Sequence, residues 1–287
     1  MENAFTVLPM SQNFSLQSGE TFTGKITVVN PSTSTSDFSY IVSVAPYNVV
    51  GEDYQADIAN VSTYSQIADW ITIANPTGTI SPNASQDVEF TITVPDNAPA
   101  GGQYALIMVS SDPDAKSSEG VSINNVFAIG SVIYADIAGE TTHEGSIIEN
   151  NIPEFSTTTP VTISALIDNH GNVHENAIFA LTVTNAITGE KIFPTDQDTN
   201  NRFSEIIMPE TTRYITRNID NLPALGIIKV EQTIYYNNDV STVTKNLIIC
   251  PVWFLFLLVA VFISIVGFIA ARVHHHRKNR HKHQKND

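Results

Sequence analysis

The chain has 287 residues, of which 42% are hydrophobic, and it contains 14 basic residues, 29 acidic residues and one cysteine. Six of the basic residues and one acidic residue follow residue 271, which leaves residues 1–271 with a net charge of −20. A segment this acidic cannot neutralise the phosphates of a nucleic acid, so we exclude binding to nucleic acids. A single cysteine excludes an intramolecular disulfide.

Residues 1–138 alternate between short strand-like runs and clusters of turn-forming residues. In FTGKITVVN the residues Phe22, Gly24, Ile26 and Val28 share one face, which is the period of a half-buried strand. The almost continuously apolar run QYALIMV, residues 103–109, predicts a central strand. We predict an immunoglobulin-like β-sandwich with strands near 5–8, 12–16, 21–29, 38–49, 70–73, 86–94, 103–110 and 121–134.

A polar stretch at 138–144 separates this segment from a second one of the same kind, residues 139–246. The segment PVTISALIDNHGN alternates and then stops in a turn, as FTGKITVVNPS does in the first half. The predicted strands lie near 145–149, 160–168, 177–184, 190–193, 203–208, 212–219, 225–236 and 241–248. The sequence therefore predicts an all-β fold of two tandem immunoglobulin-like sandwiches.

Residues 247–271 contain no charged side chain and predict a transmembrane helix, because about 20 apolar residues cross a bilayer. Trp253 and Arg272 are the expected membrane-interface residues at its two ends, and Cys250 is expected to face lipid. The basic tail, residues 272–287, is expected to be cytoplasmic, with residues 1–246 extracellular and the second sandwich nearer the cell membrane. The first residues show no export signal, so we expect the natural chain to begin further upstream.

No sequence motif of a nucleophile, a phosphate loop or a zinc protease is present, and we predict a protein that is not an enzyme. His170, His174 and Glu175 are too loosely spaced for a metal site and are interpreted as exposed loop residues. Asp53 and Asp57 lack the spacing of a calcium loop. We therefore predict no metal and no cofactor, and interpret the five histidines of the tail as part of a solvated charge run.

Several turn and strand signatures resemble those of the WxL-interacting surface proteins of Gram-positive bacteria. The resemblance implies two sandwiches that bind cell-wall peptidoglycan and WxL-type or host surface proteins. In the first half it depends on Gly19, Val28, Asn30, Pro82, Val94, Pro95, Ala98, Gly101, Gly102 and Tyr104, and in the second on the segments IDNHGNVHENAIF and IIMPETTRYITRNIDNLPALGIIKV.

The sequence thus predicts a non-catalytic cell-surface scaffold, anchored in the lipid bilayer by one helix, that binds peptidoglycan or partner or host proteins. Two alternatives stay open. One is an accessory subunit of a membrane complex that uses the helix as its docking surface. The other is an enzyme that modifies cell-wall glycans, since acidic side chains are plentiful.

Overall fold

The computed structural model describes residues 5–112, 128–193 and 202–283, with side chains described up to residue 272. Twenty strands, one short 3₁₀ helix and one long α-helix, α1 (Val252–His283), form the regular structure of these residues. The predicted all-β class with a single apolar helix at the C-terminal end is confirmed.

The strands up to Ile137 form two facing sheets. One has the order β1-β3-β9-β7 and the other β2-β11-β10-β4-β8, while β5 and β6 form a separate hairpin. The 3₁₀ helix spans Gln66–Trp70. The strands are β1 (Thr6–Leu8), β2 (Ser11–Leu16), β3 (Thr21–Asn30), β4 (Phe38–Pro46), β5 (Asn48–Val50), β6 (Gln55–Asp57), β7 (Ile71–Ile73), β8 (Thr77–Ile80), β9 (Ala84–Thr93), β10 (Gly101–Ser111) and β11 (Ala128–Ile137).

The strands from Gly145 to Ile249 form a second pair of sheets. Their orders are β12-β14-β18 and β13-β20-β19-β15-β16, with β17 also paired to β15. The strands are β12 (Gly145–Asn151), β13 (Phe155–Ser156), β14 (Val161–Asn169), β15 (Glu175–Asn185), β16 (Lys191–Phe193), β17 (Arg202–Ile207), β18 (Thr211–Ile219), β19 (Gly226–Tyr236) and β20 (Asp239–Ile249).

Alternation along the strands places the apolar faces where the sequence indicates. Ile26 and Val28 of β3 are buried beside Phe90 of β9, while Lys25, which precedes Ile26, is exposed. Burying each such side chain stabilises the fold by roughly 1.5–3 kcal/mol. Strand β10 lies between β11 and β4, which confirms the central position predicted for QYALIMV.

Three short strands were not predicted: β6, β8 and β13. Each has four residues or fewer, which is too short to show a period. The strand predicted at 38–49 is divided at Pro46, and the chain beyond it turns into the β5–β6 hairpin. Of the strand predicted at 121–134, residues 121–127 lie outside the described residues and the rest belongs to β11.

A buried asparagine ends the second long strand of each half. The Asn30 side chain donates hydrogen bonds to the carbonyls of Ser36 (3.0 Å) and Ile80 (2.9 Å). Asn169 donates to the carbonyls of Val173 (2.8 Å) and Ile207 (3.0 Å). The two halves therefore use the same side chain to tie a turn to a neighbouring strand, as their similar strand-then-turn sequences indicate.

The apolar run 247–271 belongs to two elements. Its first three residues, 247–249, complete β20, and α1 begins at Val252. Residues Val252–Arg272 are long and apolar enough to cross a membrane. Cys250 does not face lipid as predicted; it is buried, because its N–H donates to the Ser156 carbonyl at 2.9 Å and holds it against the sandwich.

Candidate functional site at the junction of the two sandwiches

Two turns noted in the sequence meet where the sandwiches join. The Gly102 N–H donates to the Asn172 carbonyl at 2.7 Å. Gly101 has φ +106°, and a Cβ there would lie 2.6 Å from the same carbonyl oxygen, so only glycine fits. The Asn172 side chain accepts the Thr142 N–H (2.8 Å) and donates to the Glu140 carbonyl (3.0 Å). One asparagine thus fastens both sandwiches and the segment between them.

Tyr104 crosses the junction beside these turns. Its side chain is fully buried, and its hydroxyl accepts the His174 N–H at 2.8 Å. The Tyr104 ring makes edge contacts with Tyr134 and with the His174 ring, at centroid distances of 5.8 and 5.6 Å. Burial raises the pKa of Tyr104 and raises that of Tyr134 to about 12, so both phenols stay protonated near neutral pH.

His174 is partly buried in the same cluster, with 13% of its side chain exposed. Burial lowers its pKa, and the nearby carboxylates of Asp136 and Glu175 oppose this only in part. The Asp136 carboxylate lies 3.8 Å from the imidazole. The lowered pKa favours the neutral imidazole near pH 7, in a position beside two tyrosine rings.

The β5–β6 hairpin of the first sandwich reaches over the second. The Tyr54 hydroxyl accepts the Met208 N–H at 2.9 Å and is bonded to the Thr211 hydroxyl. The Glu52 carbonyl accepts the N–H of Tyr214 on the edge strand β18 at 2.7 Å. A hairpin that leaves its own sheets thus supplies main-chain and side-chain bonds to the other sandwich, which fixes the two sandwiches against each other.

Between the hairpin and the second sandwich lies an open cleft, here called the junction cleft. Two adjoining cavities, of about 200 and about 300 Å³, share Tyr47 and Met208 in their walls. The Arg213 guanidinium lies 4.6 Å from the centre of the Tyr54 ring and pairs with Glu205 at 2.8 Å. The residues that define the junction cleft are Tyr47, Tyr54, Tyr64, Tyr134, Glu205, Met208 and Arg213.

The histidines interpreted from the sequence as exposed loop residues divide into two cases. His170 is exposed and pairs with Asp168 at 2.8 Å, as expected for a loop. His174 contradicts the interpretation because the Tyr104 and Tyr134 rings enclose it. Glu175 pairs instead with His143, and the described residues contain no group of three side chains suited to a metal ion.

The acidic loop of the first sandwich has local roles. The Asp57 carboxylate accepts hydrogen bonds from the Ala59 and Asn60 amides, and Asp53 accepts one from Gln55. Hydrogen bonds from the Asn60 side chain and from these amides lower the pKa of Asp57. Both carboxylates therefore stabilise turns of the β5–β6 region.

Sequence reasoning singled out the two turns but missed the tyrosines of the junction cleft. Tyr47, Tyr54, Tyr64 and Tyr134 lie on separate strands and loops, and no spacing along the chain connects them. The available signal was composition: nine tyrosines in one chain, with four of them in residues 40–64.

Comparison with known proteins gives no family. No family model matches the chain, and no curated protein matches it. Among solved structures, the class 5 fimbriae chaperone CfaA is 12% identical, with 84% of this chain and 98% of that chain covered and a TM-score of 0.40. A chain of the CsuC–CsuE chaperone–tip subunit complex of Acinetobacter baumannii is 13% identical over 85% of this chain and 98% of that chain, also with a TM-score of 0.40. Similarities this low assign no function.

The predicted membership of the WxL-interacting surface proteins is wrong, since no family model matches the chain. The residues behind that prediction have structural roles: Asn30 ties a turn, Gly101 permits a positive φ, and Tyr104 joins the sandwiches. Such positions serve the fold, and a fold by itself does not identify a function. The WxL-type partners implied by the resemblance are withdrawn with it.

Proposed function

We propose that this chain is a single-pass, membrane-anchored surface protein that binds a protein partner, without catalysis, at the junction cleft. The observation that carries the proposal is the composition of that cleft: aromatic rings and one guanidinium on a junction held by hydrogen bonds from both sandwiches. Tyrosine and arginine are the residues most enriched at the energetic centres of protein interfaces.

The size of the cavities supports a protein ligand. At about 200 and about 300 Å³ they are at or below the lower end of the 300–1,000 Å³ typical of small-molecule sites. Cavities of this size accept individual side chains of a partner, and both have Tyr47 in their walls. Because the walls are already fixed, binding loses little conformational entropy, which favours affinity.

The anchor and its direction complete the proposal. Residues Val252–Arg272 serve as the span, with Trp253 at the outer interface and Arg272 at the cytoplasmic one. The basic residues after Arg272 keep the C-terminus in the cytoplasm, and both sandwiches then lie outside the cell membrane. Protease digestion of intact cells tests this direction. Loss of the sandwiches with protection of the tail is expected, and the reverse pattern would overturn it.

The binding role is tested with the full chain in lipid nanodiscs, used to capture surface proteins of the source organism and, separately, purified peptidoglycan. Tyr47→Ala is expected to abolish capture of the partner, because its ring lines both cavities. The control is Tyr235→Ala, which removes an equally large ring from the outer face of β19. Equal capture by both variants would contradict a role for the junction cleft.

Peptidoglycan, predicted from the sequence, is the second ligand in the same experiment. Retention on peptidoglycan that Tyr47→Ala leaves unchanged would favour a wall-binding scaffold over a receptor for proteins.

A further inference from the structure

The outer face of the β13-β20-β19 sheet carries an apolar row at the end of the second sandwich nearest the helix. Phe155, Ile248 and Ile227 occupy register positions on three neighbouring strands, so their side chains stand on the same side. They are 50%, 45% and 38% exposed, respectively. Large side chains are usually covered when they adjoin one another in this way, which marks the row as a contact surface.

The row is tied closely to α1. Strand β20 ends at Ile249 and α1 begins at Val252. Val252 is four positions after Ile248, which limits their distance to about 14 Å even in a fully extended chain. The link is also held: Cys250 donates to the Ser156 carbonyl and Phe254 to the Pro251 carbonyl, both at 2.9 Å. The polar layer of a bilayer is roughly 5–8 Å thick on each side, so a moderate tilt brings the row to the lipid.

Polarity changes sharply above the row. The next outward positions on the same two strands are Asn246 and Lys229, which face each other. Beyond them, the Thr244 hydroxyl donates to Glu231 at 3.3 Å. The apolar row therefore lies nearest the helix, and the Asn246 amide and the Lys229 ammonium lie farther from it. This order matches that of acyl chains and head groups in a membrane surface.

We propose that Phe155, Ile227 and Ile248 insert into the outer surface of the bilayer and hold the second sandwich tilted on its β20 face. The inference depends on the proposed anchoring. A lipid surface fits better than a second copy of this chain, because three side chains provide far less than the roughly 800 Å² per partner of a standard interface. The helix also keeps the row beside the bilayer at all times, which makes even a weak contact persistent.

The test places an environment-sensitive fluorophore on single cysteines of the full chain in phosphatidylcholine vesicles, with Cys250→Ser as the background. The three labelled variants are Phe155→Cys in the row, Phe262→Cys within α1, and Val240→Cys. Val240 is 62% exposed on the same sheet face, eight residues up β20 and so roughly 26 Å away. Nitroxide-bearing lipids are expected to quench the labels at positions 155 and 262 several-fold more than the label at position 240.

The outcomes separate the two proposals. Quenching at position 262 but not at position 155 would overturn the proposed insertion of the row and leave the proposed membrane anchor intact. No quenching at position 262 would refute the anchor itself. A blue shift at 155 that depends on protein density but not on nitroxide lipid would show a second copy on the row and overturn the proposal. Adding Ile227→Ser and Ile248→Ser to Phe155→Cys is expected to release the label from the lipid while the quenching at 262 persists.

Discussion

Replacing Tyr104 with Phe removes one oxygen atom from the junction and leaves the ring in place. That oxygen accepts the His174 N–H at 2.8 Å across the two sandwiches. In Tyr104→Phe this N–H loses its partner in a site closed to water, because the Tyr104 side chain is fully buried. The His174 ring nitrogen, 3.3 Å from the same hydroxyl, loses a second contact.

The cost follows from the unpaired donor. Leaving a buried N–H without a partner costs about 1–3 kcal/mol, more than the net worth of an ordinary hydrogen bond. For a folded unit of 150–250 residues each kcal/mol moves the melting temperature by about 2–4 °C. We therefore expect Tyr104→Phe to melt about 2–12 °C below the wild-type chain.

Tyr40→Phe is the matched control. Tyr40 is also a buried tyrosine of the first sandwich, but its hydroxyl has no hydrogen-bond partner among the described residues. Its removal is expected to leave stability unchanged or to raise it, since an unpaired buried hydroxyl is itself unfavourable.

Differential scanning calorimetry of the full chain in nanodiscs measures both variants. Because the lost bond joins the two sandwiches, Tyr104→Phe is also expected to separate their unfolding into two transitions. Equal melting temperatures for Tyr104→Phe and Tyr40→Phe would refute the reasoning, and so would a single unshifted transition for Tyr104→Phe.

Three further predictions concern the same junction and its supports. Burial lowers the pKa of His174 below the value of about 6.5 that it has in the unfolded chain. The free energy of unfolding is therefore expected to be highest above that pH and to decrease as the pH falls below it and the imidazole takes up a proton. Urea unfolding at pH 7.5 and at pH 5.5 should show a larger loss of stability for the wild type than for His174→Gln. Gly101→Ala should lower the melting temperature more than Gly189→Ala, because both glycines have a positive φ but only a Cβ at position 101 would clash with a carbonyl oxygen. Equal decreases in melting temperature would argue against that clash. Asn169→Ala should lower the free energy of unfolding by about 1–3 kcal/mol for each buried carbonyl, Val173 or Ile207, that it leaves without a donor. An unchanged free energy in urea unfolding would show that water replaces the side chain.

The strands could be read from the sequence because their signal is local. Ile26 and Val28 alternate with polar neighbours, and a period of two positions a side chain on the core face whatever lies opposite. The same local alternation predicted that the two halves have similar folds, and in the structure Asn30 and Asn169 end equivalent strands. The span was equally local, since a bilayer requires only length and apolarity.

Where the apolar run changes from strand to helix could not be read from the sequence. Ile248 and the first residues of α1 have the same apolar character, and periodicity cannot separate a strand facing a core from a helix facing lipid. The position of the change was decided by pairing: β20 continues to Ile249 because β19 and β13 offer it hydrogen bonds that far.

The junction between the sandwiches, with the junction cleft beside it, was decided by tertiary structure alone. Tyr54, Tyr104 and His174 come from different elements far apart in the chain, and each finds its partner only when the two sandwiches are packed. Nothing in a local pattern records such a meeting, because hydrogen bonds between distant residues depend on the shape of the folded chain. The sequence by itself determined two acidic sandwiches and an apolar helix; the contacts that fix the sandwiches to each other, and with them the candidate site, arose from packing.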